Sequence, residues 1–97
     1  MSEFDYKQLD DLLCSRIRLA IISVLVSVEK VDFKQLKIQT KATDGNLSAN
    51  LKKLEEAGYI TIKKSFVGRK PHTTYFISNR GKEAFKLYVK KLESMLK

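Results

Sequence analysis

Hydrophobic positions recur with the 3.6-residue period of helices over most of the chain, and with the two-residue period of strands in one region. The spacing predicts a short helix over residues 4–13 and a longer one over 16–28, the second capped by Ser15. A last helix, capped by Ser78, is expected to run to about Leu96. The predicted core face of the 16–28 helix consists of Ile17, Ala20, Ile21, Val24, Leu25 and Val28.

Residues 32–58 predict two helices joined by a tight turn. Asp32 and Gln35 have the spacing of a capping box at the start of the first helix. Thr43 is the predicted N-cap of the second helix, and Gly58 is the predicted residue after its C-terminus. The second helix has leucines at i, i+4 and i+7, which form one buried stripe: Leu47, Leu51 and Leu54. Its opposite face is small, polar or cationic, which suits the major groove of DNA.

The segment after this pair of helices predicts a β-hairpin with a basic turn. Residues 59–63 alternate apolar and polar side chains, and residues 74–77 form the returning strand. Between them, residues 65–73 are expected to form a basic turn that holds Gly68-Arg69-Lys70-Pro71. Residues 31–33 are expected to add a brief third strand. The predicted fold class is therefore α+β, mainly α. It is a winged helix-turn-helix with a two- to three-stranded wing sheet, formed by residues 1–97 as one domain.

An ordered series of short motifs resembles the small winged-helix regulators related to the MarR and ArsR transcription factors. The motifs are RLAII at 18–22, VDFKQL at 31–36, TDGNLS at 43–48, LEEAGYI at 54–60, GRKP at 68–71, TTY at 73–75 and ISNRG at 77–81. The resemblance implies a DNA-binding transcriptional regulator with a recognition helix and a basic wing. Ala49 departs from it, because such recognition helices often carry Arg or another long polar residue there.

Charge is distributed unevenly along the chain, which has a net charge of +8. Residues 1–33 hold four basic and six acidic residues, a net charge of −2, whereas residues 34–97 hold 15 basic and five acidic residues, a net charge of +10. The basic excess coincides with the second predicted helix of the pair, the hairpin and the last helix. This distribution favours a polyanionic partner, bound through neutralisation of its phosphates.

Double-stranded DNA is the partner that these patterns favour. Asn46, Ser48 and Asn50 are candidates for base readout, with Asn46 able to pair bidentately with adenine. Asn50 lies nearer the core side of the helix, so a local backbone or packing role is equally open for it. Arg69 is the candidate for insertion into the minor groove. The full set of expected DNA-binding residues is Thr43, Asp44, Gly45, Asn46, Ser48, Ala49, Asn50, Lys52, Lys53, Lys63, Lys64, Arg69 and Lys70.

A homodimer is expected because the apolar stripe of the last helix is longer than a core of this size can cover. Residues 1–14 and 79–97 are the predicted dimerisation segments. Their contact residues are expected to be Leu9, Leu12, Leu13, Phe85, Tyr88, Val89, Leu92 and Leu96.

Catalytic, metal and membrane functions have no support in the sequence. Cys14 and His72 are the chain's single cysteine and single histidine, and they do not make a metal site. No phosphate-binding loop or nucleophile with a base is present, so neither an enzyme nor a cofactor is expected. Cys14 is interpreted as a small buried residue at a helix junction rather than an oxidant sensor. No targeting segment or membrane span is recognised, which predicts a cytoplasmic protein.

Two alternative functions remain open from the sequence. A winged helix can serve as a protein–protein interaction module within a larger assembly, and it can also bind RNA. The protein–protein alternative predicts an apolar recognition face and a short neutral wing, whereas Asn46, Lys52 and Arg69 favour DNA. No effector can be named, and with no separate ligand domain predicted, one would have to use the dimer interface or the wing.

Overall fold

The computed structural model describes residues 5–96, and its elements follow the order predicted for a winged helix. After a 3₁₀ turn at Tyr6–Gln8 come α1 (Arg16–Ser27), β1 (Val31–Asp32), α2 (Phe33–Thr40), α3 (Asp44–Glu56), β2 (Ile60–Val67), β3 (Lys70–Ile77) and α4 (Asn79–Met95). Four α-helices and a three-stranded antiparallel sheet confirm the predicted fold class. The long C-terminal helix is also present, at about 25 Å from the rise per residue.

Each helix begins at the capping residue that the sequence predicts. Ser15 accepts a hydrogen bond from the backbone of α1, and Ser78 accepts one from the backbone of α4. Asp32 accepts from the Gln35 backbone N–H at 2.7 Å, while the Gln35 side chain accepts from the Asp32 N–H at 3.0 Å. The side chain of Thr43 caps α3 by accepting from the Asn46 backbone N–H at 3.2 Å. These caps satisfy N–H groups that otherwise lack partners inside a helix.

The end of α3 turns the chain directly into the sheet. Gly58 has a φ of +80°, a left-handed conformation that a glycine adopts without steric cost. Its N–H donates to the Glu55 carbonyl, and the Tyr59 N–H donates to the Leu54 carbonyl, both at 2.9 Å. This pair of bonds is the Schellman arrangement, so the predicted role of Gly58 is confirmed. Two hydrogen bonds and a left-handed glycine therefore define the turn between α3 and β2.

The sheet has the order β1-β3-β2, and its hairpin is longer than the sequence suggests. Pairing continues from Ile60↔Ile77 out to Val67↔Lys70, so the connecting turn contains only Gly68 and Arg69. The predicted basic turn over residues 65–73 is corrected accordingly, because most of it pairs as strand. Gly68 has a φ of +66°, as the first central residue of a two-residue hairpin turn can require. The brief β1 strand pairs with β3, as predicted.

The predicted N-terminal helix is wrong in its described part. Residues 9–13 form turns instead, because Asp10 Oδ1 accepts from the backbone N–H groups of Leu12 at 2.8 Å and Leu13 at 3.4 Å. An aspartate side chain that bonds its own downstream backbone competes with helix formation. Residue 4, with which that helix was expected to begin, lies outside the described range.

The core forms where α1, α2, α3 and the base of the sheet meet. Its buried apolar residues are Leu13, Ile21, Ile22, Leu25, Val31, Leu36, Leu47, Leu51, Leu54, Ile60, Tyr75 and Tyr88. Three expectations are corrected here. Leu13 is fully buried inside the protomer, so it cannot contribute to a dimer surface. Val28 follows the end of α1 and is exposed, and Cys14 is exposed rather than buried.

Close packing at the start of α4 sets the position of this helix against the turn between α3 and β2. The Ser78 side chain donates to the Gly58 carbonyl at 2.6 Å, and the Ser78 N–H donates to the Tyr59 carbonyl at 3.0 Å. Gly81 is buried, and a Cβ there would lie 2.2 Å from the Tyr59 oxygen. Only a glycine allows the helix to approach that backbone so closely.

The molecule is elongated, with principal dimensions of 59 × 25 × 21 Å. Its radius of gyration is 14.8 Å, whereas about 12.5 Å is expected for a compact domain of this length. None of the helices over residues 5–96 combines the length and apolar character needed to cross a membrane.

Candidate nucleic-acid interface

The helix α3 buries its leucine stripe completely and presents its other face outward. Leu47 and Leu54 have no exposed surface, and Leu51 is 2% exposed. The outward face carries short polar groups near the N-terminus and lysines one to two turns later, and Glu55 and Glu56 are exposed in the last turn. The exposed residues predicted to contact DNA from this helix are Asp44, Gly45, Asn46, Ser48, Ala49, Lys52 and Lys53. No large apolar side chain stands among them, so the face is open to a polar, anionic surface.

Asn50 is the one predicted recognition-helix residue that the structure turns inward. It is 7% exposed, and its Oδ1 accepts from Arg18 Nη1 at 2.8 Å. Its Nδ2 donates to the Asn46 carbonyl at 2.8 Å and to Asn46 Oδ1 at 3.0 Å. A side chain whose polar atoms are used in this way cannot reach a base edge. The expectation that Asn50 reads bases is therefore corrected, and its role is internal.

The N-terminus of α3 is organised by a cap and an ion pair. Thr43, which is exposed, uses its hydroxyl oxygen to cap the helix. Asp44 Oδ1 lies 2.6 Å from Lys37 Nζ, and both side chains are largely exposed. An exposed pair of this kind contributes little to stability. Its consequence is local, because it offsets the negative charge that Asp44 places beside the outward face.

The wing tip is fully exposed and carries both charge and apolar surface. Arg69 lies in the turn itself, and Lys70 is the first residue of β3. Phe66 is 73% exposed and Val67 is 64% exposed. The sequence predicted a basic tip, and this apolar surface beside it was not expected.

The two wing lysines project from opposite faces of the hairpin, because side chains alternate along a strand. Lys63 lines a concavity of about 400 Å³ with Asp32, Gln35 and His72, on the sheet face beside the start of α2. Lys64 shares the other face with Ile62, which packs against the core. Sequence reasoning grouped the two lysines together, whereas the hairpin separates them.

Two cations close to this surface were missed by the sequence reasoning. Arg16 lines a shallow concavity of about 290 Å³ that also includes Asn46, so the start of α1 borders the start of α3. Lys41 is the C-cap of α2, in the turn between the two helices, with a φ of +58°. A lysine in that turn was visible in the sequence, but the position of Arg16 depends on how α1 packs.

A second surface lies on α4, away from the exposed face of α3. Val26, Phe85 and Val89 line an apolar groove of about 580 Å³, bordered by Lys82, Lys86, Lys90 and Glu93. Leu96 is 86% exposed, and Phe85, Val89 and Leu92 are half-buried. Tyr88 is only 8% exposed, so it faces the protomer rather than this groove. Leu9 and Leu12 are half-buried against the core.

Comparison with known proteins identifies the same architecture. A sequence model of the family described as "Winged helix DNA-binding domain" matches residues 17–96. An uncharacterised protein of Methanocaldococcus jannaschii is 41% identical over 75 residues, which is 77% of this chain and 82% of the relative.

Solved structures of transcriptional regulators superimpose on nearly the whole chain. A transcriptional regulator homologue from Pyrococcus horikoshii OT3 matches with a TM-score of 0.77 at 27% identity, covering 93% of this chain and 94% of that one. A MarR-family regulator from Silicibacter pomeroyi matches with a TM-score of 0.72 at 15% identity, covering 91% of this chain and 58% of that one. The resemblance read from the sequence motifs is confirmed.

Proposed function

This chain belongs to the family of winged-helix DNA-binding domains, and on that premise we propose that it is a sequence-specific transcriptional regulator acting as a homodimer on double-stranded DNA. In this proposal α3 enters the major groove and the wing contacts the adjacent minor groove. The observation that carries the proposal is the division of α3 into a fully buried leucine face and an outward face of polar and cationic residues.

Base readout is assigned to the first half of α3, where the outward side chains are short. Asn46 and Ser48 are exposed, and they are the third and fifth residues of the helix. Gly45 and Ala49 add no bulk, which allows the helix to approach the base edges closely. Lys52 lies further along with Lys53, where the cations suit phosphates, which position a protein without reading sequence.

The wing is assigned to the minor groove and the flanking phosphates. Arg69 projects from a turn of only two residues, which limits how far the tip can fold back. A narrow A·T-rich minor groove concentrates negative potential and attracts an inserted arginine. Lys64 and Lys70 contact phosphates in this arrangement. Lys63 lies on the opposite face of the hairpin from Lys64 and would reach phosphates only from that face.

The homodimer interface is assigned to α4, because a second copy would bury its apolar groove and its exposed terminal leucine. The interface uses Phe85, Val89, Leu92 and Leu96, together with Val26 of α1. Leu13 and Tyr88 are removed from it because both are buried in the protomer. A two-fold dimer places two recognition helices about 34 Å apart, one turn of DNA, so the target is an inverted repeat.

Selection of bound duplexes from a random pool, at one stated salt concentration, tests the proposal. We expect enrichment of an inverted repeat whose half-sites are about one helical turn apart. Enrichment of no motif would contradict sequence-specific binding and favour the protein–protein module. Equal competition by duplex RNA would favour the RNA-binding alternative.

A further inference from the structure

Four residues form a continuous chain of hydrogen bonds from the N-terminal segment to the outward face of α3. Arg18 Nε donates to the Leu12 carbonyl at 2.7 Å, and Arg18 Nη1 donates to Asn50 Oδ1 at 2.8 Å. Asn50 Nδ2 then donates to Asn46 Oδ1 at 3.0 Å. Arg18 and Asn50 are 32 positions apart in sequence. The chain ends on the residue assigned to base readout.

The direction of these bonds is set by chemistry, because a guanidinium group has five N–H donors and no acceptor. The atom of Asn50 that faces Arg18 must therefore be its amide oxygen, which leaves the amide nitrogen facing Asn46. That nitrogen is a donor only, so the atom of Asn46 that faces it must be the oxygen. Asn50 is 7% exposed, so its amide group is shielded from water, whereas Asn46 at the end of the series is exposed.

We propose that Arg18 and Asn50 are positioning residues that make Asn46 a hydrogen-bond donor toward DNA, and that Asn46 consequently selects guanine. This inference rests on the proposed function and deepens it. With its oxygen turned inward, Asn46 presents its Nδ2 hydrogens outward. Guanine offers two neighbouring acceptors, N7 and O6, in the major groove, whereas the major-groove edge of cytosine offers the N4 donor.

The inference replaces the adenine pairing expected from the sequence alone. A bidentate contact with adenine needs an asparagine that donates to N7 and accepts from N6 at the same time. The Asn46 oxygen that would accept from N6 is instead held by Asn50 Nδ2. The preference therefore depends on two residues that themselves do not touch the base.

The sharpest test is Asn50→Asp, which nearly preserves the shape of the side chain and reverses the direction of the hydrogen bond between residues 50 and 46. The new carboxylate still accepts from Arg18, but it has no hydrogen to give to Asn46. Asn46 must then turn its nitrogen inward and its oxygen outward. The Asn46 backbone carbonyl loses the bond that it accepts from Asn50 Nδ2 at 2.8 Å, and it keeps the helical bond to the backbone N–H of residue 50. Duplex selection with the parent, Asn50→Asp and Asn46→Ala chains measures the effect.

We expect the parent to prefer guanine about tenfold over adenine at the position whose preference Asn46→Ala abolishes. With Asn50→Asp the preference at that position should invert toward adenine or cytosine, which carry outward donors. An unchanged guanine preference in Asn50→Asp, or a parent preference for adenine, would overturn the inference. A parent that enriches no motif at all contradicts the proposed function instead.

Arg18→Met is a second variant that keeps the inference testable if Asn50→Asp does not fold. Without the guanidinium, the Asn50 amide keeps only its bonds to Asn46 and loses the anchor that fixes its position, so the guanine preference should fall below about threefold. A merely structural role for Arg18 would lower the melting temperature and leave the base preference intact, and that result would also overturn the inference.

Discussion

The hydroxyl of Tyr59 donates a hydrogen bond to the Asp10 carboxylate, which ties the N-terminal segment to the turn between α3 and the wing. The other Asp10 oxygen holds the backbone of the turn before α1. Burial, followed by the hydrogen bond and negative charge of Asp10, raises the pKa of Tyr59 to about 12, although Arg80 at 5.9 Å from the ring opposes this. One carboxylate thus joins the turn before α1 to the turn after α3.

This link predicts alkaline sensitivity. In the unfolded chain the tyrosine has a pKa near 10, so between about pH 10 and 12 the unfolded state loses a proton that the folded state keeps. The stability that this difference contributes is complete below pH 10 and is lost as the pH rises toward 12. Tyr59→Phe should therefore lower stability at pH 8 and flatten its fall between pH 10 and 12.

Chemical denaturation at a series of pH values, for the parent and Tyr59→Phe, measures this effect. Some slope will remain in the variant, because burial also raises the pKa values of Tyr75 and Tyr88. Parallel stability curves for the two chains from pH 8 to 12 would count against the Tyr59–Asp10 bond.

Gly81→Ala should destabilise the fold by about 1–3 kcal/mol through overpacking. The added methyl group would clash with the Tyr59 carbonyl oxygen, a backbone atom that cannot move without displacing the turn between α3 and β2. Gly45→Ala is the matched control, because nothing lies within 4 Å of its new Cβ. That change should be neutral or stabilise α3 by up to about 1 kcal/mol. Thermal melts of both variants decide the point, and equal effects would refute it.

Val89→Lys should prevent dimerisation, because it places a charge in the apolar groove of α4. Leu87→Lys is the control: it makes the same kind of change on the same helix, at a residue 52% exposed and on the side away from Val89. Sedimentation at micromolar concentration should report a monomer for the first and a dimer for the second. If the parent chain itself sediments as a monomer and still binds an inverted repeat tightly, the α4 interface is wrong.

Arg69→Ala should weaken binding most on sites with A·T-rich flanks, and should reduce the salt dependence by about one phosphate contact. Stability should stay nearly unchanged, because the residue is exposed in the turn. Arg69→Lys separates charge from shape: the salt dependence should persist while the preference for A·T flanks falls. Parent-like binding of Arg69→Ala on every flank and at every salt would exclude the wing as a DNA contact.

Much of the fold could be predicted from the sequence because its signals are local. The capping box of Asp32 and Gln35, the N-cap at Thr43 and the left-handed Gly58 each act within a few residues. The prediction of the N-terminal helix was wrong for a reason that is also local. The Asp10 side chain bonds the backbone N–H groups that a helix would use, so it opposes helix formation.

The candidate site could be predicted only in outline. The outward face of α3 follows from the leucine period, and the basic tip follows from the residues after Gly68. The sequence places Asn50 nearer the leucine side of α3, which left a packing role open. Its partner could not be foreseen, because Arg18 reaches it only when α1 packs against α3. The burial of Leu13 and the nearness of Arg16 to Asn46 likewise depend on tertiary packing.

In the proposed function, two copies of this chain bind one specific duplex. Its most direct measurement is a titration of the selected inverted repeat and of a scrambled duplex of the same composition, both at one physiological salt concentration. We predict saturation at two chains per selected duplex and an affinity at least about 10³-fold above that for the scrambled duplex. Equal affinity for the two duplexes would show that binding is not sequence-specific, and saturation at one chain per duplex would show that the chain does not bind as a dimer.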